Sequence, residues 1–408
     1  MIAAFLLALF LAAIPLHVKT WLYYGLNGIN TEVPPQIMAA YADYVEGDVF
    51  ESDRPDAFKA AGGKAAVAYT DPSFVAYCVP PFMPPAGKCD PVERYALPES
   101  AWFHEPDGTR TRRNEGEHFH YQEALNPASP ATRRYYALYT RDLLQRAPRL
   151  DYFFADDSGG TLDGLFYGFE SRGVEISTAE QLIVARRALF SAASRPVFIN
   201  GNDPATWLPA YGGALVTGRN VEGEVHEGCF NADDYGLLTD VAHRWQRESE
   251  SLLFNARLRR YAVCMMQGSM TPERRLYALA SWWISYDERW SIAAPVNKAP
   301  DGYAVFPEFD IVPGSPRRTA ERSIEELRRG NVYVREFARC RQRGTFIGPC
   351  AAVVNTGDAD AAVPQLQGRY ARNLELTPHS VVSGGTVLWS SGVPSHVEAG
   401  HALVLRGS

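Results

Sequence analysis

The sequence predicts an α/β fold: a (β/α)8 TIM barrel followed by a small C-terminal antiparallel β-sandwich. Short β-rich runs alternate with helical stretches about eight times between residues 18 and 330, which is typical of a parallel sheet closed into a barrel. No GxGxxG or GxxxxGK[ST] loop follows any of these runs, which disfavours the rival fold, an open doubly wound sheet. After residue 330 the chain changes to short β-type runs separated by Gly, Pro and Asp.

The composition is that of a globular protein large enough for both units. The 408 residues carry 40 basic and 47 acidic side chains, 46% are apolar and 12% are aromatic. These values exclude a disordered, collagen-like or polytopic membrane protein. The net charge of −7 argues against nucleic acid as a partner, because that partner requires a dense basic surface. The aromatic surplus suits a sugar-binding cleft and equally suits a large core.

The first segment, residues 2–16, is apolar and uncharged, and it is shorter than the about 20 residues that span a bilayer. It is typical of a signal peptide over residues 1–17, with Ala12 and Ala13 in the cleavage region. The basic residue that normally precedes a signal is missing, so an uncleaved membrane anchor and a buried first strand are the alternatives. We expect an exported protein, periplasmic or extracellular, and leave its oligomeric state open.

The six cysteines agree with export, because disulfides persist in oxidising compartments. None of their spacings is a zinc pattern. Cys229 and Cys264 lie further apart and form a less defined pair. Two pairs close short loops and are expected to be local disulfides: Cys78 with Cys89, and Cys340 with Cys350.

The catalytic barrel is predicted over residues 18–330 from hydrophobic periodicity and from Pro and Gly boundaries. Residues 73–130, between the third predicted strand and the predicted helix that begins at 131, form an irregular section. The predicted strands are 18–25, 44–48, 64–70, 150–155, 196–200, 220–226, 260–266 and 290–293. The predicted helices are 35–44, 54–61, 131–146, 178–194, 204–211, 234–258, 271–285 and 315–329, the last one stopped by Gly330.

The β-sandwich is predicted over residues 331–408, with the boundary near 330. Its aromatic side chains, Phe337, Tyr370 and Trp389, are expected in its own core rather than on a glycan-binding surface. The predicted strands are 331–337, 351–355, 380–382, 386–389 and 401–405.

Candidate catalytic residues follow from the rule that barrel enzymes work at the carboxyl ends of their strands. The fourth strand, LDYFFADDSGG, runs from apolar residues directly into Asp156 and Asp157. Two acids directly after an apolar strand cost hydration free energy, so their presence there indicates a function. By strand alternation Asp156 shares the face of Tyr152 and Phe154. The alternative is a cap for the following helix, which Asp157 or Ser158 can provide.

The sixth strand, NVEGEVHEGCF, carries three acids in six residues. Glu227 is the last of them and precedes Gly228, which allows the backbone to approach a ligand closely. Glu224 is a candidate for substrate binding, and with Glu222 it can equally belong to a salt-bridged wall. We therefore expect Asp156 and Glu227 to be the catalytic residues.

Two carboxyl groups across one bond are what glycoside hydrolysis requires, one as acid/base and the other as nucleophile. The alternative is a barrel that binds glycans without cleaving them, which has no use for two facing carboxyls. Other chemistries lack their motifs: the HxH at His118 and His120 lies after the third strand instead of the first, and no GxSxG elbow is present. We expect a carbohydrate substrate and no cofactor or metal.

The motifs FFADDSGG, FINGND, VEGEVHEGC, RRLYALASWW and NVYVREFARC…PCAAVVNTG resemble the glycoside hydrolases of the hypothetical glycosyl hydrolase family 15 type. Those proteins are (β/α)8 barrels near the α-galactosidase-like superfamily, and the likeness spans about residues 20–357. The resemblance implies a glycosidase. It also implies that Asp156 at strand four is the nucleophile and Glu227 at strand six the acid/base, with the doubled Asp and tripled Glu as departures.

Further substrate-binding candidates lie at other strand ends and in the loop over the barrel mouth. Each has an ordinary structural alternative: a core aromatic for the tyrosine, solvation for the acids, a turn for the amides, and a packed loop anchor for the tryptophan. These candidates are Asp157, Glu224, Tyr24, Glu46, Asp71, Trp102, His104, Asn200, Asn202 and Gln267.

Overall fold

The computed structural model describes residues 15–23, 30, 32–47, 54–76, 97–105, 107–111, 122–158, 179–200, 215–230, 242–267, 271–296, 299–320 and 322–407. Eight parallel strands in this part of the chain form one sheet in chain order. Thr20 and Ala293 form a parallel bridge between the first and last strands, which closes the sheet into a barrel. The strands are β1 (Trp21–Tyr23), β2 (Tyr44–Gly47), β3 (Ala65–Thr70), β6 (Tyr152–Ala155), β7 (Val197–Asn200), β8 (Val221–Glu227), β9 (Tyr261–Met266) and β10 (Ser291–Pro295).

Between β3 and β6 a short antiparallel pair, β4 (Phe74–Ala76) and β5 (Gln122–Ala124), leaves the barrel. Two helices start at a side-chain cap, because Ser129 accepts from the amide of Ala131 and Thr271 from that of Arg274. The helices are α1 (Pro35–Tyr41), α2 (Arg54–Ala60), α3 (Pro130–Arg146), α4 (Ala179–Ser191), α5 (Ala242–Arg257) and α6 (Pro272–Ser285).

Aromatic rings fill the interior of the barrel. The ring centroid of Trp21 lies 5.0 Å from that of Phe198 and 5.8 Å from that of Tyr44. Strand alternation turns the intervening residues, such as Phe153 and Val197, outward against the helices. The aromatic surplus is therefore largely core, and the inward positions at the carboxyl ends of β2, β3, β7 and β8 are polar.

The remaining strands form an antiparallel sheet and a two-stranded ribbon. One face of this sheet packs on α6, where the rings of Trp283 and Phe337 lie 5.8 Å apart, and the ribbon covers the other face. The predicted fold class is thus confirmed. The sheet contains β11 (Ile311–Pro313), β12 (Arg328–Arg329), β13 (Val332–Gln342), β14 (Thr345–Val354), β16 (Arg372–Leu376), β17 (Val387–Ser391) and β19 (Ala402–Arg406), and the ribbon β15 (Ala361–Ala362) and β18 (His396–Val397).

The predicted helix 315–329 is wrong. Its backbone pairs with the next strand instead, through a bridge from Pro316 to Phe337 and through β12, and only a 3-10 turn at Ile324–Leu327 remains helical. The run 380–382 is also a 3-10 turn, Val381–Ser383, rather than a strand. The predicted helix 204–211 lies outside the described residues.

Two disulfides join neighbouring strands, Cys229 to Cys264 and Cys340 to Cys350, and they agree with an oxidising compartment. The predicted pair of Cys78 and Cys89 lies outside the described residues, as does most of the first apolar segment. In the described part of the chain, no helix is both long enough and apolar enough to cross a membrane.

Candidate active site

Polar side chains meet inside the barrel where the parallel strands end. Five of the eight barrel strands each contribute one residue: β2 contributes Glu46, β3 contributes Tyr69, β6 leads into Asp156, β7 ends at Asn200 and β8 ends at Glu227. Register explains the meeting, because Tyr69 pairs with Phe154 and Asn200 with Val225, so these side chains share the inward face. We refer to these five residues as the strand-end cluster.

Asn200 joins the two predicted catalytic carboxyls. Its amide nitrogen donates to Asp156 Oδ1 at 2.6 Å and to Glu227 Oε1 at 2.8 Å. Asn200 itself is only 4% exposed, whereas Glu227 is exposed at the rim. Asp156 and Glu227 are therefore close neighbours, held across one amide group.

Asp156 is oriented by two further donors. Tyr69 donates its hydroxyl to Asp156 Oδ2 at 2.8 Å, and the amide of Asp157 donates to Asp156 Oδ1 at 2.8 Å. Asp157 itself has a left-handed backbone, with a φ of +48°. Such a conformation costs energy in a residue with a side chain, so the turn after β6 needs support from its surroundings.

That support comes from two side chains behind the turn. The carbonyl of Asp157 accepts from Ser73 Oγ at 2.6 Å and from Arg186 Nη2 at 2.9 Å. Arg186 extends from α4 and is buried, and burial lowers its pKa to about 10, which leaves it charged at neutral pH. A buried positive charge, that of Arg186, therefore contacts the turn that carries Asp156 and Asp157.

Glu46 lies beneath the carboxyl pair and is 0% exposed. Trp21 Nε1 donates to its Oε2 at 3.0 Å, and its Oε1 has no hydrogen-bond partner among the described residues. Burial, together with the charges of Asp156 and Glu227, raises the pKa of Glu46 well above its usual value, although the Trp21 hydrogen bond opposes this. Burial therefore favours the protonated form of Glu46.

Asp71 follows β3 and adds a further acid to this side of the site. Its Oδ1 accepts from the amides of Ser73 and Phe74 at 2.9 and 3.0 Å. Burial and the charges of Asp157 and Asp156 raise the pKa of Asp71 well above its usual value. The site is thus acidic on the side of β3 and β6.

Glu224 is not part of this site. Alternation turns it to the outer face of β8, where its Oε2 accepts from Asn255 of α5 at 2.8 Å. Trp102 is 1% exposed, it forms a bridge with Leu125, and Arg110 lies 4.4 Å from its ring centroid. These contacts make Trp102 a packed loop anchor rather than a surface for substrate.

The other predicted binding residues have separate positions. His104 Nε2 lies 3.2 Å from Glu99 Oε2 in the same loop. Gln267 follows β9, is partly buried and donates to Met265 Sδ at 3.2 Å. Tyr24 and Asn202 lie outside the described residues.

Sequence reasoning missed Tyr69 and Arg186. Alternation from the buried residues of β3 would have identified Tyr69 as inward-facing, because it lies two residues after Val67. Nothing in the sequence of α4 distinguishes Arg186 from the adjacent Arg187, since only the packing of the helix decides which of them is buried.

No group of three or more His, Cys, Asp or Glu side chains within the described ranges is arranged to hold a metal ion. The residues of the HxH motif, His118 and His120, lie outside those ranges. The carboxyls of the strand-end cluster are bonded to an amide, a phenol and an indole instead.

Comparison with solved structures supports the barrel fold. Amy13B from Eubacterium rectale is similar to this chain with a TM-score of 0.50 and 11% identity over 97% of this chain and 96% of that one. The glycoside hydrolase domain of PelA from Pseudomonas aeruginosa is 13% identical over 68% of this chain and 94% of its own, with a TM-score of 0.43. The alpha-galactosidase TtGalA from Thermus thermophilus is 13% identical over 81% and 66%, also with a TM-score of 0.43.

These neighbours include glycoside hydrolases, and at such low identities the likeness shows the fold alone. No protein-family model matches the chain, and no curated protein matches it in sequence. The predicted resemblance to the hypothetical glycosyl hydrolase family 15 therefore stays a prediction.

Proposed function

We propose that the protein is a glycoside hydrolase that cleaves a glycosidic bond in an oligo- or polysaccharide. One observation carries this proposal: a single amide, that of Asn200, hydrogen-bonds both Asp156 and Glu227 at the carboxyl-terminal rim of a barrel. Most glycosidases use such a pair of carboxyl groups around the scissile bond. A protein that only binds glycans needs no such pair.

Asp156 is proposed as the nucleophile and Glu227 as the acid/base. Three donors orient Asp156, so one oxygen can attack the anomeric carbon with defined geometry. Glu227 is exposed at the rim, where it can protonate the leaving oxygen and then activate an incoming water molecule. Asp71, Asp157 and Gln267 are proposed to contact substrate hydroxyls, whereas Glu46, which is 0% exposed, is proposed to support the carboxyl pair from beneath.

The geometry favours retention of configuration. Asp156 Oδ1 and Glu227 Oε1 lie 2.6 and 2.8 Å from the same nitrogen, which keeps these two oxygens less than about 6 Å apart. Inverting enzymes need about 6.5–9.5 Å between their carboxyls to admit a water molecule, and retaining enzymes about 5–5.5 Å. We propose that a covalent glycosyl ester forms on Asp156, and NMR of the first product anomer tests this.

The roles are tested with Asp156→Asn and Glu227→Gln on aryl glycosides with good and poor leaving groups. A panel of 2,4-dinitrophenyl and 4-methylumbelliferyl glycosides serves as the probe. Asp156→Asn should lower kcat/KM by at least about 10³-fold on both, because attack is required in either case. Glu227→Gln should lower it strongly on the poor leaving group and far less on dinitrophenolate, which departs without a proton.

Two variants at the opposite ends of the same strands are matched controls. Asp151→Asn precedes β6 and Glu222→Gln lies early in β8, and both should leave kcat/KM unchanged. Full activity of Asp156→Asn or Glu227→Gln would reject that residue's role. Glycan binding by wild type without turnover on aryl glycosides or on bacterial and plant polysaccharides would favour the non-catalytic alternative.

A further inference from the structure

A second group of ionisable side chains lies on the outer face of β8, away from the barrel interior. It consists of Glu224 and His226 from β8 and Glu248 from α5, which we refer to as the Glu–His–Glu cluster. Their exposed fractions are 1%, 1% and 3%. None of them faces the strand-end cluster, so the proposed reaction gives no account of why they are there.

The imidazole of His226 lies between the two carboxyls. Its Nδ1 is 3.0 Å from Glu248 Oε1 and its Nε2 is 3.6 Å from Glu224 Oε2. The amide nitrogen of Asn255 lies 2.8 Å from Glu224 Oε2 and 3.1 Å from His226 Nε2. Ser251 Oγ is 3.5 Å from His226 Nδ1. These contacts tie the last turns of α5 to the end of β8.

In the described part of the chain, Glu224 and Glu248 are the titratable side chains that face His226. The strands on either side of β8 contribute no charge here, because the residues in register are Ile199 on β7 and Ala262 and the disulfide-bonded Cys264 on β9. From α5 the facing polar groups are Glu248, Ser251 and Asn255. The charge of the imidazole is therefore balanced by two carboxyls alone.

A contribution to the free energy of unfolding does not by itself explain such a buried cluster of ionisable groups. Buried ion groups lose hydration, and well-packed apolar side chains of similar volume often stabilise a protein more. Three carboxyl oxygens, Glu224 Oε1 and both oxygens of Glu248, also have no well-formed hydrogen bond among the described residues, although Glu248 Oε1 lies 3.0 Å from His226 Nδ1. A use beyond stability accounts for this arrangement better.

We propose that His226 is a positioning residue for Glu227, and that its imidazole, held between Glu224, Glu248 and Asn255, fixes the end of β8. His226 and Glu227 are consecutive in the strand, and their side chains leave it on opposite faces. Contacts of His226 with α5 therefore set where Glu227 stands relative to Asn200. This inference rests on the proposed function of Glu227.

The expected dependence on pH follows from the charges. Burial opposes ionisation of the imidazole, but Glu248 and Glu224 outweigh it and raise the pKa of His226 above 6.5. A raised pKa in the folded state means that this stabilisation is present below 6.5 and is lost as the pH rises through the folded-state pKa. Burial also raises the pKa of Glu224, so the ionisation of Glu224 further lowers the stability of the folded state as the pH rises. Above that pH the attraction between the imidazole and its acidic neighbours is lost, and the end of β8 loosens.

The test compares wild type with Glu248→Gln, which keeps the shape of the side chain and removes its charge. The ring NMR signals of His226, the thermal midpoint, kcat on a 4-methylumbelliferyl glycoside and hydrogen exchange of β8 are measured across pH. In wild type all four should change over one pH interval. Glu248→Gln should move that interval to lower pH by about one unit, with KM nearly unchanged.

Glu398→Gln is the matched control, because Glu398 pairs with an exposed histidine, His401, at 3.9 Å. It should leave all four profiles in place. Glu224→Gln is a second cluster variant, in case Glu248→Gln does not fold. A shift of the His226 titration with an unchanged kcat profile and unchanged exchange in β8 would overturn the positioning role. Absence of turnover in wild type with the expected exchange profile would reject only the proposed glycosidase function.

Discussion

Asn200 shows how one side chain can define a site. A planar amide carries two N–H donors whose directions are fixed, and in Asn200 both reach a carboxyl oxygen. The angle between these N–H bonds therefore fixes the separation of Asp156 and Glu227. A hydroxyl side chain has a single donor and cannot hold both carboxyls at once.

We expect Asn200→Ala to lower kcat/KM by about 10²-fold, comparable to the loss of one preorganised donor in other enzymes. Without the amide the two carboxyls repel each other and lose their common anchor. Steady-state kinetics on the aryl glycosides checks this, with Asn373→Ala in β16 as a control that should keep wild-type kinetics. Wild-type kinetics in Asn200→Ala would show that the bridge has no part in catalysis.

At the scale of elements, β8 is built for close approach to its neighbour. A Cβ on Gly223 would lie 2.4 Å from the carbonyl oxygen of Tyr261 on β9, a distance that neither backbone can accept. The strand then ends at Glu227 and turns through Gly228, whose φ is +66°. Glycines at both ends thus allow β8 to pack tightly and to stop at the rim.

Gly223→Ala should destabilise the protein by about 1–3 kcal/mol, because the added methyl group forces β8 and β9 apart. Since β8 carries Glu227, kcat should fall as well. Thermal unfolding and kinetics measure both effects, and Gly357→Ala, whose new Cβ would meet only a side-chain oxygen at 3.2 Å, is the control. An unchanged melting temperature in Gly223→Ala would contradict the close packing of the two strands.

The elements also show which parts of the fold sequence reasoning reaches. Alternation and flanking helices predict β6 and the acids that follow it, because these signals are local. The run 315–329 has helical composition, but residues at its two ends pair with β13, a partner that the run itself does not encode. Propensity is a weak prior wherever a tertiary partner is available.

The residues of the site likewise fall into those that the sequence predicts and those that it does not. The strand ends and the family resemblance, both readable in the chain, predict Asp156 and Glu227 as a pair, and the structure brings these two side chains together. Counting back from Glu227 in steps of two would have excluded Glu224, because β8 alternates regularly from Gly223 onward. The contacts of Tyr69 and Arg186 depend on register and on helix rotation, which no single segment encodes.

At the scale of the whole molecule, the barrel and the C-terminal sheet share a core. The sheet takes β11 and β12 from before residue 330, and it covers α6, whose Trp282 and Trp283 are fully buried. Arg335 of β13 donates to the carbonyl of Ile284 at the end of α6 at 2.8 Å. A cut at the predicted boundary near 330 would separate paired strands and expose an apolar helix face.

We therefore expect barrel and sheet to unfold together, although the predicted boundary treats them as separate units. Phe337→Ala, which removes the ring packed on Trp283, should destabilise the protein by about 3–5 kcal/mol. Calorimetry should show one transition that moves as a whole, with loss of activity following the same midpoint. Leu388→Ala is the control, because Leu388 is 52% exposed on β17 and its truncation should leave the midpoint in place. Two resolved transitions, of which Phe337→Ala shifts only one, would instead establish that the sheet folds independently of the barrel.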